Sequence, residues 1–379
     1  MESHYDIPAA LAAPATQATQ ATDADNEKKS IIGLANLGNT CFMNASIQAL
    51  RHFAEVTYMS ISSLLSAMAT RTGASSEPVA RAFEELIQSL HSGSATGGAY
   101  VLPRGFYETV KTAVKGTVYS HFGQRTPQDA HEFMVWLLDH LYMATAVPKD
   151  IPYSADEEGS KEWADAFRQS YSPLAELFFG QMRIQYKCSA CSTAHKRYET
   201  FNVLKVQPIA GVSWANCIEE EVLSEEWIEG YACEVCEKAG QPRAPAQKTT
   251  HLMRLPKLLI LTVKRYTPFG ARINTPIVHD NCDFRFEEVF APESKHPSRG
   301  KWYRTIGVVD HLGFGMGGGH YVAQCLSLGP IRPSQGPHSG GSPMNREWWL
   351  YDDEGVHLLK DGPCFGGQTY MVFMRAVKE

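Results

Sequence analysis

Two Cys-x-x-Cys pairs constrain what this chain can fold into more than any other feature. Cys188-Ser-Ala-Cys191 and Cys233-Glu-Val-Cys236 are separated by 41 residues. Each pair has the spacing of a tight knuckle that points two thiolates at one tetrahedral ion, and two knuckles complete a four-cysteine zinc site. The stretch between them is longer than in a short zinc ribbon, so the knuckles should cap a longer excursion of strands. Four thiolates leave no open coordination position, which makes such a zinc structural and keeps it out of the chemistry. Two other readings compete. Four reduced, unliganded cysteines fit the paired spacing poorly. A redox Cys-x-x-Cys fits less well too, because both pairs follow strand-like sequence with no evident helix start.

The total cysteine count bears on compartment. Nine in 379 residues is an odd count at low density, unlike a disulfide scaffold. The opening Met1-Glu2-Ser3-His4-Tyr5-Asp6 lacks the basic and apolar regions of a secretory signal. A reducing compartment, cytoplasmic or nuclear, is the expectation. Apolar runs such as Leu258–Leu261 stop far short of the roughly 18 residues of a membrane helix. Hydrophobic residues at 44% supply a core, while a net charge of −6 gives no general attraction to nucleic acid or anionic lipid.

Residues 1–30 stand apart. Ala15–Asp23 reads ATQATQATD, with no aromatic or branched aliphatic side chain to bury, which predicts a disordered tail. From Ile31 the pattern is globular. Phe42, Ala45 and Ala49 fall on one helical stripe and Met43, Ile47 and Leu50 on another, predicting a helix buried on most sides. A second helix is predicted from Thr126-Pro127, with Thr126 as N-cap and Phe133, Trp136, Leu137, Leu138 and Leu141 as its core face. After about residue 175 the pattern turns to strands, at 180–186, parts of 198–206, 258–263, 303–309, 321–325, 348–351 and 370–373. Gly313–Gly319 and Gly329–Pro343 read as loops. Helices first and sheet after is an α+β order.

Within this frame Cys41 differs from the paired cysteines. It follows Asn39-Thr40 at a helix N-terminus, where backbone N–H groups and the macrodipole favour a thiolate. A lone cysteine there reads equally as a small apolar residue. Asn36, on the preceding Gly-punctuated loop, could aim its amide at an oxyanion, although loop asparagines more often serve turns. Among fourteen histidines, His320 stands out between Gly317-Gly318-Gly319 and the strand Tyr321-Val322-Ala323, a base at a strand edge. His311, at the other end of the Gly-rich segment, reads better as structural. Asp352 and Asp353 follow the apolar Trp348-Trp349-Leu350, where a carboxylate could hold an imidazole tautomer or simply form a solvated turn. The order Cys, His, Asp in these contexts points to acyl transfer on a cysteine nucleophile.

The residues around these positions resemble the ubiquitin-specific protease family. Gly33-Leu34-Ala35-Asn36-Leu37-Gly38-Asn39-Thr40-Cys41-Phe42-Met43-Asn44 is similar to its cysteine box, and Gln128-Asp129-Ala130-His131-Glu132-Phe133 to its second box. Leu255–Leu261 with Lys264-Arg265-Tyr266 resembles a palm strand, Gly319-His320-Tyr321-Val322-Ala323 the histidine box, and Trp349-Leu350-Tyr351-Asp352-Asp353 the aspartate box. The motifs run in family order across 31–375, ending at Tyr370-Met371-Val372-Phe373. The resemblance implies a papain-like cysteine protease with a helical thumb (about 31–175), zinc-ribbon fingers (about 181–250) and a β-sheet palm (about 251–379). It implies Cys41 as nucleophile, His320 as base and then acid, Asp352 as the residue orienting it, and Asp353 as a supporting acid. Asn36 with the Cys41 N–H would form the oxyanion hole. Asp129 and Glu132 match positions that meet the basic tail of ubiquitin, and Cys188, Cys191, Cys233 and Cys236 match the fingers zinc. Ubiquitin and ubiquitinated proteins are the implied partners, with an activating scaffold protein as a further one.

The chain departs from the family pattern in three places. Phe42 stands where tyrosine is frequent, Leu312 where a small polar residue is common, and 329–343 is an extra loop that reads as disordered. A ubiquitin-binding pseudoenzyme is the rival from another class, and the intact Cys41, His320 and Asp352 argue against it. A zinc-ribbon nucleic-acid module would require a basic surface over 181–250. Glu219, Glu220, Glu221, Glu225, Glu226, Glu229, Glu234 and Glu237 make that region acidic instead.

Overall fold

The computed structural model of the chain describes residues 31–66, 73–92, 100–277, 283–315, 318–327 and 347–377. The tail 1–30 and the loop 329–343 lie outside the described residues. Among the described residues there are ten α-helices, two short 3-10 turns and fourteen strands. The first, α1 (Cys41–Arg51), is buried along its whole length, as its two apolar stripes require. It is followed by α2 (Ala54–Thr57), α3 (Ile61–Ser66), α4 (Glu77–Ser92), α5 (Arg104–Ala113), α6 (Ala130–Ala144), α7 (Ser160–Phe167) and α8 (Leu174–Phe178). Phe42 lies against Phe122 and edge-on to Phe133, at centroid distances of 5.9 and 5.4 Å. That apolar niche has no use for a hydroxyl, which accounts for phenylalanine there.

Helix α6 corrects the predicted start at Thr126. It begins at Ala130 with Asp129 as N-cap, whose Oδ1 accepts the Glu132 N–H at 2.9 Å. A carboxylate is the better cap for a helix dipole, and the Thr126 hydroxyl instead accepts from the Gln128 side chain at 2.7 Å.

Beyond residue 179 strands dominate. The short β1 (Gly33–Leu34) and β2 (Tyr100–Val101) pair in parallel apart from the rest. One four-stranded sheet is built from β3 (Gly180–Cys188), β4 (Ala194–Phe201), β6 (Glu226–Tyr231) and β7 (Ala244–Arg254), in the order β4-β3-β7-β6. A larger sheet contains β5 (Leu204–Val206), β8 (Leu258–Val263), β10 (Trp302–Gly315), β11 (Gly318–Leu326), β12 (Trp348–Asp352), β13 (Gly355–Leu359) and β14 (Thr369–Val377). Its order is β13-β12-β11-β10-β14-β8-β5, with β9 (Phe284–Arg285) pairing β10. Residues 204–222 thus leave the small sheet: β5 pairs in parallel with β8, and α9 (Trp214–Val222) packs beside it.

The large sheet is a wall between two cores. Along β8, Leu258 and Ile260 face the core that contains α1 and α6, while Leu259, Leu261 and Val263 face a second core with Trp214 and Phe286. In β14, Met371 and Phe373 take the first side and Val372 and Met374 the second. This period-two division explains why both strands read as unbroken apolar runs. The Gly-rich segment predicted as a loop is mostly a hairpin. Strand β10 runs to Gly315 and β11 starts at Gly318, with Gly315 paired to Gly318. A Cβ on Gly313 would lie 2.8 Å from the Gly318 carbonyl oxygen, so the strands close up only because that residue has no side chain.

Candidate active site and cysteine cluster

Cys41 is the first residue of α1, and its N-cap Thr40 makes no side-chain capping bond. The Met43 N–H donates to the Thr40 carbonyl at 3.0 Å, and no side-chain cap competes for the N–H groups of Cys41 and Phe42 beside the thiol. A tight turn delivers the chain to this point. The Asn36 Oδ1 accepts the N–H groups of Gly38 and Thr40 at 2.9 and 3.2 Å. Gly38 and Asn39 both take positive φ, 101° and 54°, conformations suited to glycine and asparagine.

From the other end of the chain comes His320, on β11. Its Nε2 is 2.6 Å from Asp352 Oδ1, at the end of the neighbouring β12. The Cys41 side chain meets the same ring. That contact is the largest cause of a His320 pKa pushed up to about 9; partial burial opposes it, and the Asp352 bond adds to it. A raised imidazole pKa beside a thiol is the electrostatic setting of a thiolate–imidazolium pair.

The two adjacent acids divide their work. Asp352 pairs with Gly355 across the β12–β13 hairpin, so Asp353 and Glu354 are its two turn residues. Asp353 sits 3.9 Å from His320 Nε2. Its closer bonds go elsewhere: Oδ2 accepts from Asn36 Nδ2 at 2.8 Å and Oδ1 from Asn44 Nδ2 at 2.8 Å. One of the two Asn36 amide hydrogens is thereby committed and one remains. Sequence reasoning missed Asn44 and Glu354, whose partners lie more than 300 residues away; the Glu354 carboxylate accepts the Asn36 backbone N–H at 2.9 Å.

The two expected tail-binding acids differ. Asp129 uses one oxygen to cap α6 and the other to accept from the Tyr370 hydroxyl. Glu132 is exposed and pairs with His121 at 3.3 Å. His311 is buried, stacked on Tyr321 at 4.5 Å, and hydrogen-bonded through Nδ1 to the Tyr266 hydroxyl at 2.8 Å.

At the far end of the small sheet the four paired cysteines converge. All four sulfurs lie within 4.8 Å of one another, with Cys188–Cys236 at 3.8 Å and Cys191–Cys233 at 3.6 Å. A tetrahedron with Zn–S bonds of about 2.3 Å has edges of about 3.8 Å, so the cluster fits a metal ion of that size. Cys188, Cys233 and Cys236 are buried, and Cys191 is half-buried. The second pair does open a helix, contrary to the sequence reading: Cys233 precedes α10 (Glu234–Lys238). Yet the two pairs face each other across one cluster, which a redox pair does not need. His195, not anticipated, approaches Cys233 Sγ with its Nε2 at 3.7 Å.

Among the described residues no helix is long and apolar enough to cross a membrane. Residues 32–373 match the family described as Ubiquitin carboxyl-terminal hydrolase. The chain is 27% identical over 363 residues to ubiquitin carboxyl-terminal hydrolase 2 of Rattus norvegicus, covering 91% of this chain and 54% of the relative. To ubiquitin carboxyl-terminal hydrolase Usp2 of Drosophila melanogaster it is 26% identical, covering 92% and 35%. It thus spans about half the length, or less, of these curated relatives. The fold is similar to that in the SAGA Ubp8/Sgf11/Sus1/Sgf73 DUB module bound to ubiquitin aldehyde, with a TM-score of 0.65 and 18% identity over 96% of this chain and 72% of that one.

Proposed function

The chain belongs to the ubiquitin carboxyl-terminal hydrolase family, and from that premise we propose that it is a thiol-dependent deubiquitinase. Its substrate is the isopeptide or peptide bond at the C-terminal glycine of ubiquitin. The observation that carries this reading is the 2.6 Å His320–Asp352 contact on the ring that also meets Cys41.

The Cys41 thiolate attacks the glycine carbonyl carbon, and the carbonyl electron pair moves onto oxygen. The Cys41 N–H and the remaining Asn36 amide hydrogen receive that charge. The His320 imidazolium gives its proton to the departing lysine amine as the C–N bond breaks, leaving a thioester and a neutral ring. Neutral His320 then takes a proton from the water that attacks the thioester. Expulsion of the sulfur restores the thiolate and the imidazolium. Asp352 holds the ring in register throughout, and Asp353 holds Asn36. Glu132 is the exposed acid for the basic tail of ubiquitin, with Asp129 shaping the helix end beside it. Cys188, Cys191, Cys233 and Cys236 would hold a structural zinc, which supplies a cross-link at the tip of the fingers. Thumb (about 31–175), fingers (about 181–250) and palm (about 251–379) divide the domain in this reading, with residues 204–222 returning to the palm.

Ubiquitin and ubiquitinated proteins are the proposed partners. A scaffold partner is supported by the similar Ubp8 chain, which was solved together with Sgf11, Sus1, Sgf73 and ubiquitin aldehyde. A cytoplasmic or nuclear location follows from the free thiols. The test is mass spectrometry after incubation with ubiquitin carrying a C-terminal thiol-reactive warhead. Wild type should gain one ubiquitin and Cys41→Ala none; no adduct on wild type while ubiquitin still binds would overturn the catalytic role.

A further inference from the structure

The β12–β13 turn has two residues, and both reach the segment that carries Asn36. We propose that Glu354 is a positioning residue for this oxyanion asparagine: its carboxylate fixes the Asn36 main chain so that the side-chain amide meets the reacting carbonyl oxygen. The inference rests on the deubiquitinase reading above.

Three bonds cross between the two segments. The Leu34 N–H donates to the Asp353 carbonyl at 2.9 Å, the Asn36 N–H to Glu354 Oε1 at 2.9 Å, and Asn36 Nδ2 to Asp353 Oδ2 at 2.8 Å. Leu34 and Asn36 are alternate residues, so their N–H groups leave the same edge of the extended chain, while the intervening Ala35 N–H turns to the Val101 carbonyl. The Asp353 carbonyl takes the first of these two N–H groups and Glu354 Oε1 takes the second. A side chain thus completes a rung that the turn backbone does not supply. The approach is close: a Cβ on Gly33 would lie 2.4 Å from the Glu354 carbonyl oxygen and 2.6 Å from that of Asp353. Asp353 itself takes φ 49° to make the turn.

The Asn36 side chain is anchored at Oδ1 by Gly38 and Thr40 and at Nδ2 by Asp353, so its remaining N–H can move only if the main chain moves. Among the described residues Glu354 is the sole acceptor for the Asn36 N–H. Its carboxylate makes that bond charge-assisted and short-range. One hairpin end therefore sets both halves of the chemistry, Asp352 through the base and Glu354 through the oxyanion donor.

The experiment compares Glu354→Ala with Glu354→Gln, using a fluorogenic ubiquitin C-terminal amide and amide hydrogen exchange at Asn36. Glu354→Ala should lower kcat about tenfold with KM unchanged, since a donor is misplaced rather than removed. Exchange at Asn36 should accelerate at least tenfold. Glu354→Gln, whose amide oxygen still accepts, should recover most of both. Ubiquitin affinity, measured on a Cys41→Ala background, should not change. Wild-type kcat in Glu354→Ala, unchanged exchange at Asn36, or equal losses in both variants with weakened ubiquitin binding would each overturn the proposal. A wild type that never turns over the ubiquitin amide would sink the deubiquitinase reading instead, and the exchange at Asn36 would still decide whether Glu354 fixes that main chain.

Discussion

In the proposed mechanism His320 is the residue on which the chemistry turns, and its proton has a predictable range. Its pKa of about 9 lies above the ordinary 6.5, so the fold favours the protonated ring. The stability this group contributes is fully present below pH 6.5 and is lost as pH rises through 9. Across that window the ring stays an imidazolium, the form that pairs with a thiolate. We therefore expect kcat/KM for a ubiquitin amide to hold through neutrality and to fall above about pH 9. Asp352→Asn removes one of the contacts that raise the pKa. It should shift the alkaline limb downward and lower kcat roughly hundredfold. A limb that stays at pH 9 in that variant would show Asp352 to be a bystander. Of the residues involved, Cys41, His320 and Asp352 each had a structural reading in local context, and only their order and the resemblance of their motifs drew them together. Asn44 and Glu354 could not, because their roles consist of contacts 309 and 318 residues away in sequence.

At the level of elements, spacing was legible and competition was not. The Cys-x-x-Cys pairs declared their convergence because two residues on a knuckle leave few other arrangements for two thiolates. Thr126 was the cap expected from the sequence; the structure uses Asp129 instead, whose carboxylate reaches the N3 amide. Gly313–Gly319 reads as a loop by composition, yet glycines also permit two strands to close tightly, as Gly313 does against Gly318. The small sheet consists of two hairpin-like excursions, β3–β4 and β6–β7, joined along β3 and β7. One cysteine pair sits at the tip of each. Cys188→Ser or Cys236→Ser, or chelation, should lower the melting temperature and metal content before it impairs an already folded active site. A variant without metal but with full stability would remove the zinc assignment.

Across the whole molecule, the helical part and the large sheet are joined by charge as well as by apolar packing. Glu55, on α2, receives Arg375 of β14 at 2.6 Å and Lys257 at 2.8 Å. Burial pushes its carboxyl up, but Arg375 and then Lys257 outweigh that and hold it below the usual range. Stability from this cluster is therefore present above the ordinary carboxylate pKa and is lost as pH falls through the lowered value. Glu55→Ala should destabilise the fold by about 3 kcal/mol, because it strands partly buried cations. Denaturant titration at neutral pH measures it. An unchanged midpoint would mean that the two halves are held by apolar contact alone. The α+β order and the apolar runs of β8 and β14 were legible in the sequence. That those runs divide residue by residue between two cores was not, since burial on both faces erases the alternation that would have announced it.

The β14 strand lies between β10 and β8 in the middle of the large sheet, although it follows every other strand of that sheet in sequence. Cys41 and Asn36 precede His320, Asp352 and Glu354 by about 300 residues in the chain. Cys41 is therefore made before His320, and the central strand of the sheet is missing until residues 369–377 have been made. In the proposed mechanism, a chain that stops short of Asp352 lacks both the residue that orients His320 and the strand β14.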